Sequence, residues 1–342
     1  MTPARLWLSI FLTGFVLCAC ALLQSLLTAA PYGDLSRIGR ISEDEFGWKI
    51  APPEIDPQLL DGAPIDKADI LVIGDSFSAS HVWQSVLASN SHSVSTVYWS
   101  QLDEMLCSDF DEWLSQIGFR GRLVIIESVE RFLNVRVTQT RKCTPLRPPL
   151  IAAAIEPPSP PLEHVPGFAL NWEAQLHSGW MTRKCTDAAI AGRMRRSCNN
   201  MTMARPVVEG CTLFSHRRCD MALFLADDVI RGPLTSAAVA SMEASVATHA
   251  KTPVLWMVIP NKWTTYLEPD HSQGFVNALQ QTSLGPDLFT FAQHEKIKQK
   301  DFYFPNDTHI STHGQLTLGN RMLEAIRQKL GESPSSAAAQ GQ

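Results

Sequence analysis

Ala68-Asp-Ile-Leu-Val-Ile-Gly-Asp-Ser-Phe-Ser-Ala-Ser80 is the stretch whose reading decides the fold. The short apolar run Ile70 to Ile73 has the composition of a strand buried on both faces, as in a parallel sheet. Gly74-Asp75-Ser76 ends it abruptly, and a helix pattern follows over 79–89. A serine placed where a strand turns into a helix holds its hydroxyl at the carboxyl edge of the sheet. That is where open α/β sheets bind ligands, and helix-start N–H groups are at hand for an oxyanion. Asp and Ser are also good N-caps, so the same residues serve equally well as a helix cap.

A second stretch, Phe304-Pro-Asn-Asp-Thr-His-Ile-Ser-Thr-His-Gly314, bears on the choice. It offers a carboxylate, Asp307, and an imidazole, His309, ahead of a C-terminal helix pattern at Gln315–Leu330. A serine nucleophile needs a base within hydrogen-bond reach and a carboxylate to orient that base. Asn306 stands three residues before His309, and His313, one helical turn further on, competes for the role of base.

Together the two stretches resemble the SGNH (GDSL-like) hydrolase superfamily, with an early GDS block and one late Asp/His block. The resemblance implies a three-layer α/β fold around a central parallel sheet. It assigns Ser76 as nucleophile, His309 as base and Asp307 as its orienter, with Gly74 and Asp75 completing the block. The backbone N–H of Ser76 would be the first oxyanion donor. The superfamily's Gly and Asn donors have no clear counterparts between 95 and 135. Two further segments, Ile126-Glu-Ser-Val-Glu-Arg-Phe-Leu133 and Lys262 to Tyr266, look like parts of the alginate O-acetyltransferase (AlgJ/AlgX-like) branch. They add Glu130, Arg131, Lys262 and Tyr266 as oxyanion or substrate candidates. The Asp-x-His spacing is that of the branch, whereas the order, serine first, is that of the wider superfamily. The resemblance covers about 69–136 and 220–328.

The chain has 342 residues, 45% hydrophobic and 18% charged, enough for one large domain or two small ones with a real core. Its net charge of −5 argues against a nucleic-acid partner bound through a basic face. It has no P-loop, no GxGxxG after a strand and no HExxH, and no cofactor is expected. Arg5 precedes Leu6–Leu27, an apolar run long enough to span a bilayer and longer than an ordinary signal-peptide core. A membrane anchor over 1–30 is the first reading, and cleavage after Thr28-Ala-Ala30 the rival. Of eight cysteines, Cys18 and Cys20 lie in the apolar run. Cys107, Cys143, Cys185, Cys198, Cys211 and Cys219 are an even set outside it, as expected for disulfides in an oxidising compartment.

Residues 31–67 read as a juxtamembrane arm. Its prolines forbid a long helix, while Phe46-Gly-Trp48 suggests docking on a domain. The main domain is expected at 68–332. Its strands are placed at Ser93–Trp99, Arg122–Glu127, Met221–Asp228 and Val254–Ile259, and its helices near 102–117, 236–250 and 286–299. Segment 139–220 interrupts the alternation with five cysteines, the Pro-rich run 145–161, Trp172, Trp180 and a basic patch at Arg193, Arg195 and Arg196, and reads as a stapled insertion or lid. Residues 333–342 read as a disordered tail. His81 reads as a surface histidine.

Three functions fit. The first is an anchored, periplasmic O-acyltransferase acting on a polysaccharide acceptor, supplied by a membrane-bound acyl-donor protein that the resemblance implies. The second is an esterase on the same residues. The third is a non-catalytic glycan-binding subunit.

Overall fold

The computed structural model describes residues 2–26, 32–140, 176–192, 198, 200–247 and 251–332. The Pro-rich run, Trp172, the three-arginine patch, the cleavage point and the 333–342 tail lie outside them. The chain divides into two compact units that interleave in sequence. One comprises Met1–Ala51, His164–Asp227 and Tyr303–Thr308, and the other Pro52–Glu163, Asp228–Phe302 and His309–Gln342.

The second unit is built on four parallel strands, β1 (Ile70–Gly74), β2 (Val94–Tyr98), β3 (Leu123–Val129) and, last in the chain, β6 (Val254–Ile259), in the order β2-β1-β3-β6. Each is apolar or β-branched for most of its length and buried throughout, the composition of strands covered on both faces. Ile70 stands opposite Val94 on one side and Leu123 on the other, and Val124 opposite Val254. One face packs Leu71, Ile73, Val124, Ile126 and Trp256 into a core with Phe110, Trp113, Met242 and Phe275. The chain leaves β1 for β2 on one side and returns to β3 on the other. The crevice of such a sheet opens outside the carboxyl ends of β1 and β3.

Helix Thr312–Leu330 packs on helix Val82–Ser89. It buries Leu318, Met322, Leu323 and Ile326, the three- and four-residue spacing of one helix face. Ser311 caps its start by accepting the Gly314 N–H, and Gly331 closes its end in the left-handed region. At Gly319 a Cβ would lie 2.5 Å from the Trp83 carbonyl oxygen, so only glycine lets the two helices approach this closely.

The first unit holds the smaller sheet, β4 (Thr202–Pro206) antiparallel to β5 (Met221–Leu225). The arm forms two short helices, Asp34–Gly39 and Glu43–Phe46. Their Leu35 and Phe46, with Ile41, pack on Ala189, Ala204 and Leu223. Trp48 lies on Phe304 at 4.2 Å between ring centroids. This corrects the reading of Met221–Leu225 as a resumption of the parallel rhythm. The Cys211–Cys219 disulfide folds the connection back on itself, and the strand pairs antiparallel with its predecessor. A second disulfide joins Cys185 to Cys198. Cys107 is disulfide-bonded too, while Cys18 and Cys20 are free. Five cysteines in 139–220 cannot all pair among themselves, so the sequence predicts that Cys107 ties to one of them; that pairing falls outside the described residues.

Pro3–Leu26 is a single helix, of which Pro3–Gln24 is long and apolar enough to cross a membrane by length and composition. At 1.5 Å per residue, 22 residues reach about 33 Å, slightly more than a bilayer's hydrocarbon core.

Non-reducing peptide mapping should recover Cys185–Cys198 and Cys211–Cys219 as linked pairs and Cys18 and Cys20 as alkylatable thiols. Replacing Cys185 and Cys198 by alanine should cost about 2 to 4 kcal/mol of stability, the usual range for closing a loop of this length.

Candidate active site

Ser76 follows β1 by two residues and is exposed at the carboxyl edge of the sheet. His309 comes from the loop leading into helix Thr312–Leu330, and its Nε2 lies 2.8 Å from Ser76 Oγ. Two residues 233 apart in sequence thus form one hydrogen-bonded pair. The imidazole also lies against the Phe77 ring, at 4.8 Å between centroids, which restricts its orientation.

The strand does not run straight into a helix, contrary to the sequence reading. A turn over Ser76–Ser80 intervenes, and the helix starts only at Val82. The turn's N–H groups serve the turn itself. Phe77 N–H donates to Asp75 Oδ1 at 3.1 Å, Ser78 N–H to the Asp75 carbonyl, and Ala79 N–H to the Ser76 carbonyl. The N–H of Ser76 makes no hydrogen bond among the described residues.

Beneath the turn lies a buried polar network. The Asp75 carboxylate accepts from Arg136 at 2.8 Å and from the Val129 N–H at 3.1 Å. The Arg136 guanidinium also reaches Ser128 Oγ and Glu104, and stacks over the Trp99 ring. Glu127, fully buried at the middle of β3, accepts from the Asp75 N–H at 2.7 Å and from Ser78 Oγ at 2.9 Å. Ser78 in turn accepts from the Trp83 indole. Gly74 fits because a Cβ there would lie 2.6 Å from Ser78 and 3.0 Å from Glu127.

The two carboxyls are shifted in opposite directions. Burial disfavours charge on Asp75, but the Arg136 charge and hydrogen bonds outweigh it and hold the carboxyl below the ordinary aspartate range. Burial, reinforced by the Asp75 charge, pushes Glu127 well above the ordinary glutamate range. The Arg136 charge favours Asp75 in its ionised form more than it does Glu127.

The remaining candidates occupy interior positions. Glu130 is buried and raised by desolvation. It accepts from the Asn261 N–H and Thr264 Oγ1, both at 2.7 Å, and from Ser272 Oγ. It ties the end of β3 to the segment after β6. Arg131 pairs with Asp228 at 3.2 Å and lies over the Phe77 and Phe132 rings. Desolvation raises Asp228 to about 6; Arg131 opposes that shift and Glu130 adds to it. Lys262 and Tyr266 are both buried, the latter with the Lys296 ammonium over its ring. These four were read as oxyanion or substrate candidates; each side chain is buried, and Glu130 and Arg131 are engaged by interior partners.

Asp307 belongs to the first unit and His309 to the second. Asp307 is buried and accepts the Asp34 N–H at 2.8 Å, while Asp34 accepts from the N–H of Thr308. Asn306 donates to Glu43 at 2.6 Å and holds the arm in the same unit. His313 is partly buried on the closing helix. Phe77 and Arg136 were missed by the sequence reading. Arg136 follows the Glu127–Leu133 segment directly, and the only sequence clue to it was an arginine on a helix leaving a catalytic-edge strand.

Comparison with protein-family models, with curated proteins and with solved structures finds no match.

Arg136→Met should leave the Asp75 charge buried and uncompensated, costing about 3 to 5 kcal/mol on urea unfolding. Glu127→Gln tests the retained proton. The folded protein holds a proton that the unfolded chain releases in the ordinary glutamate range. Stability therefore falls as pH rises from that range to the raised folded value. Melting temperature plotted against pH should show that decline in the parent and a flatter profile in the variant.

Proposed function

We propose that this chain is a serine acyl-transfer enzyme of SGNH-like design, anchored by its N-terminal helix with its catalytic face in the periplasm. It would move an acyl group, acetyl first among candidates, onto a hydroxyl of a cell-envelope or exported polysaccharide. The observation that carries the reading is the 2.8 Å pair between Ser76 Oγ and His309 Nε2 at the carboxyl edge of β1, beside the unengaged Ser76 N–H. The exported-type disulfides and the apolar helix support the location. A membrane-bound protein would deliver the acyl group, since acetyl-CoA is not available outside the cytoplasm.

In this mechanism His309 takes the Ser76 proton as the oxygen attacks the acyl carbonyl, and the Ser76 N–H steadies the oxyanion. The imidazolium then protonates the leaving group. In the second half, His309 deprotonates the acceptor hydroxyl, which takes the acyl group from Ser76. Asp307 is the carboxylate we assign to orient the imidazole.

An esterase, in which water is the acceptor, is the second reading. The exposure of Ser76 favours it, because transfer requires that water be kept from the acyl-serine.

Incubating the full chain with an activated acetyl ester, with and without oligosaccharide, separates the readings. Transfer predicts acetyl-Ser76 and acetylated sugar by mass spectrometry, and hydrolysis predicts acetate alone. Ser76→Ala should lower the rate by about 10³-fold or more, and adding His309→Ala should lower it little further, because the pair acts as a unit. Full activity in Ser76→Ala would falsify the catalytic reading. Asp307→Asn should cost rate no more than loss of the serine does. Asn306→Ala should instead cost about 1 to 3 kcal/mol of stability, since it removes the buried donor to Glu43 Oε2.

A further inference from the structure

Within the first unit, the arm that follows the N-terminal helix grips the segment that leads to His309. Asp34 accepts from Thr308 twice: the N–H reaches Oδ1 at 2.8 Å, and the hydroxyl reaches Oδ2. In return the Asp34 N–H donates to Asp307 Oδ2 at 2.8 Å, and the Ser36 N–H to the Asn306 carbonyl at 3.3 Å. Asp307 and Thr308 are both buried. An acid in the first turn suits the dipole of the helix Asp34–Gly39. Yet here both carboxylate oxygens are turned to a residue 274 positions away.

A threonine has two donors, its N–H and its hydroxyl, and Asp34 takes both. Backbone and side chain of Thr308 are thereby fixed together, by bonds of the stronger, charge-assisted kind. Gly33 lets the arm lie this close, because a Cβ there would stand 2.4 Å from the Asn306 carbonyl oxygen. One peptide bond beyond Thr308 is His309, about 3.8 Å on from Cα to Cα. Its imidazole makes the 2.8 Å contact with Ser76 Oγ. A reacting pair is sensitive to its seating, since a misplacement of about 1 Å can cost on the order of a hundredfold in rate.

The same contacts could do no more than fasten the arm to its own unit. The arm has other fastenings against which that can be judged. Glu45, on its second short helix, pairs with Arg218 at 3.0 Å and with Arg217 at 3.3 Å. If Asp34 only fastens, loosening Glu45 and loosening Asp34 have like effects. If Asp34 seats the base, only its own loss is felt at His309.

We propose that Asp34 is a positioning residue for acyl transfer: it holds Thr308, and through it the backbone from which the His309 imidazole reaches Ser76. The inference rests on the reading of Ser76 and His309 as nucleophile and base. Asp34 exchanges no proton in this scheme. Its part is to remove freedom from the loop before the reaction, so that the base is already in place when Ser76 attacks.

The test uses the detergent-solubilised full chain, below the melting transition of each variant, with p-nitrophenyl acetate as acyl donor. Release of p-nitrophenol gives kcat and KM. Modification of His309 by diethyl pyrocarbonate, read by peptide mapping, reports without any turnover whether the imidazole is held. Asp34→Ala should lower kcat about 10- to 100-fold with KM within about twofold of the parent, and should speed His309 modification by about threefold or more. Asp34→Asn keeps an oxygen for one Thr308 donor and should restore kcat to within about fivefold of the parent. Thr308→Val loses only the hydroxyl's bond, and it should move both readouts the same way by less, which serves if Asp34→Ala does not fold. Glu45→Gln should match the parent in both. Parent-like His309 reactivity in Asp34→Ala, or in Thr308→Val where the former does not fold, overturns this inference alone. An equal loss in Glu45→Gln overturns it too. Full activity in Ser76→Ala instead overturns the catalytic reading, and the role in transfer with it.

Discussion

A negative charge is buried directly under Ser76, and the arrangement at the sheet edge depends on the arginine that balances it. Asp75 uses both carboxylate oxygens to organise backbone, accepting from Phe77 on its own turn and from Val129 at the end of the neighbouring strand. Without the charge those N–H groups lose an acceptor, and without Arg136 the charge itself becomes prohibitive. The guanidinium is held in turn by the Trp99 face and Ser128. The position of Ser76 is thus set from below by ionic and hydrogen-bonded contacts, leaving its upper side open to a ligand.

Glu127 shows the limit of that scheme. A second ionised carboxyl so close to Asp75 would face the same guanidinium with its charge already balanced. Burial and the Asp75 charge together push Glu127 well above the ordinary glutamate range, and it accepts from the Asp75 N–H and Ser78. The same residue type does different work a few positions on, where Glu130 accepts from three donors on the segment after β6. Acidic residues at the ends of parallel strands here serve as internal fasteners between neighbouring connections.

Three of the four parallel strands were legible because Ile70–Ile73, Leu123–Ile126 and Val254–Ile259 are apolar runs of the kind burial on both faces demands, and β2 because Ser93–Trp99 alternates and is β-branched. Ser76 and His309 were legible because their chemistry needs neighbours of fixed type. What sequence could not show was direction. Glu130, Arg131, Lys262 and Tyr266 read as ligand-facing because charged and aromatic residues follow strands, but whether such a side chain turns outward or inward depends on partners far away in sequence. Asp228 and Ser272 are such partners. The same blindness placed His81 at the surface, although its ring is drawn inward by the Leu60 carbonyl. Antiparallel β5 was misassigned because a five-residue apolar strand carries no mark of its neighbour's direction.

The interleaving of the two units has a consequence in time. Ser76 is made early, together with Asp75, Glu127 and Arg136, so its turn can be assembled from a contiguous stretch of nascent chain. Its hydrogen-bond partner His309 arrives 233 residues later, after the chain has passed into the other unit and back again. On the function proposed here, a chain stalled before His309 would carry a shaped turn without its base.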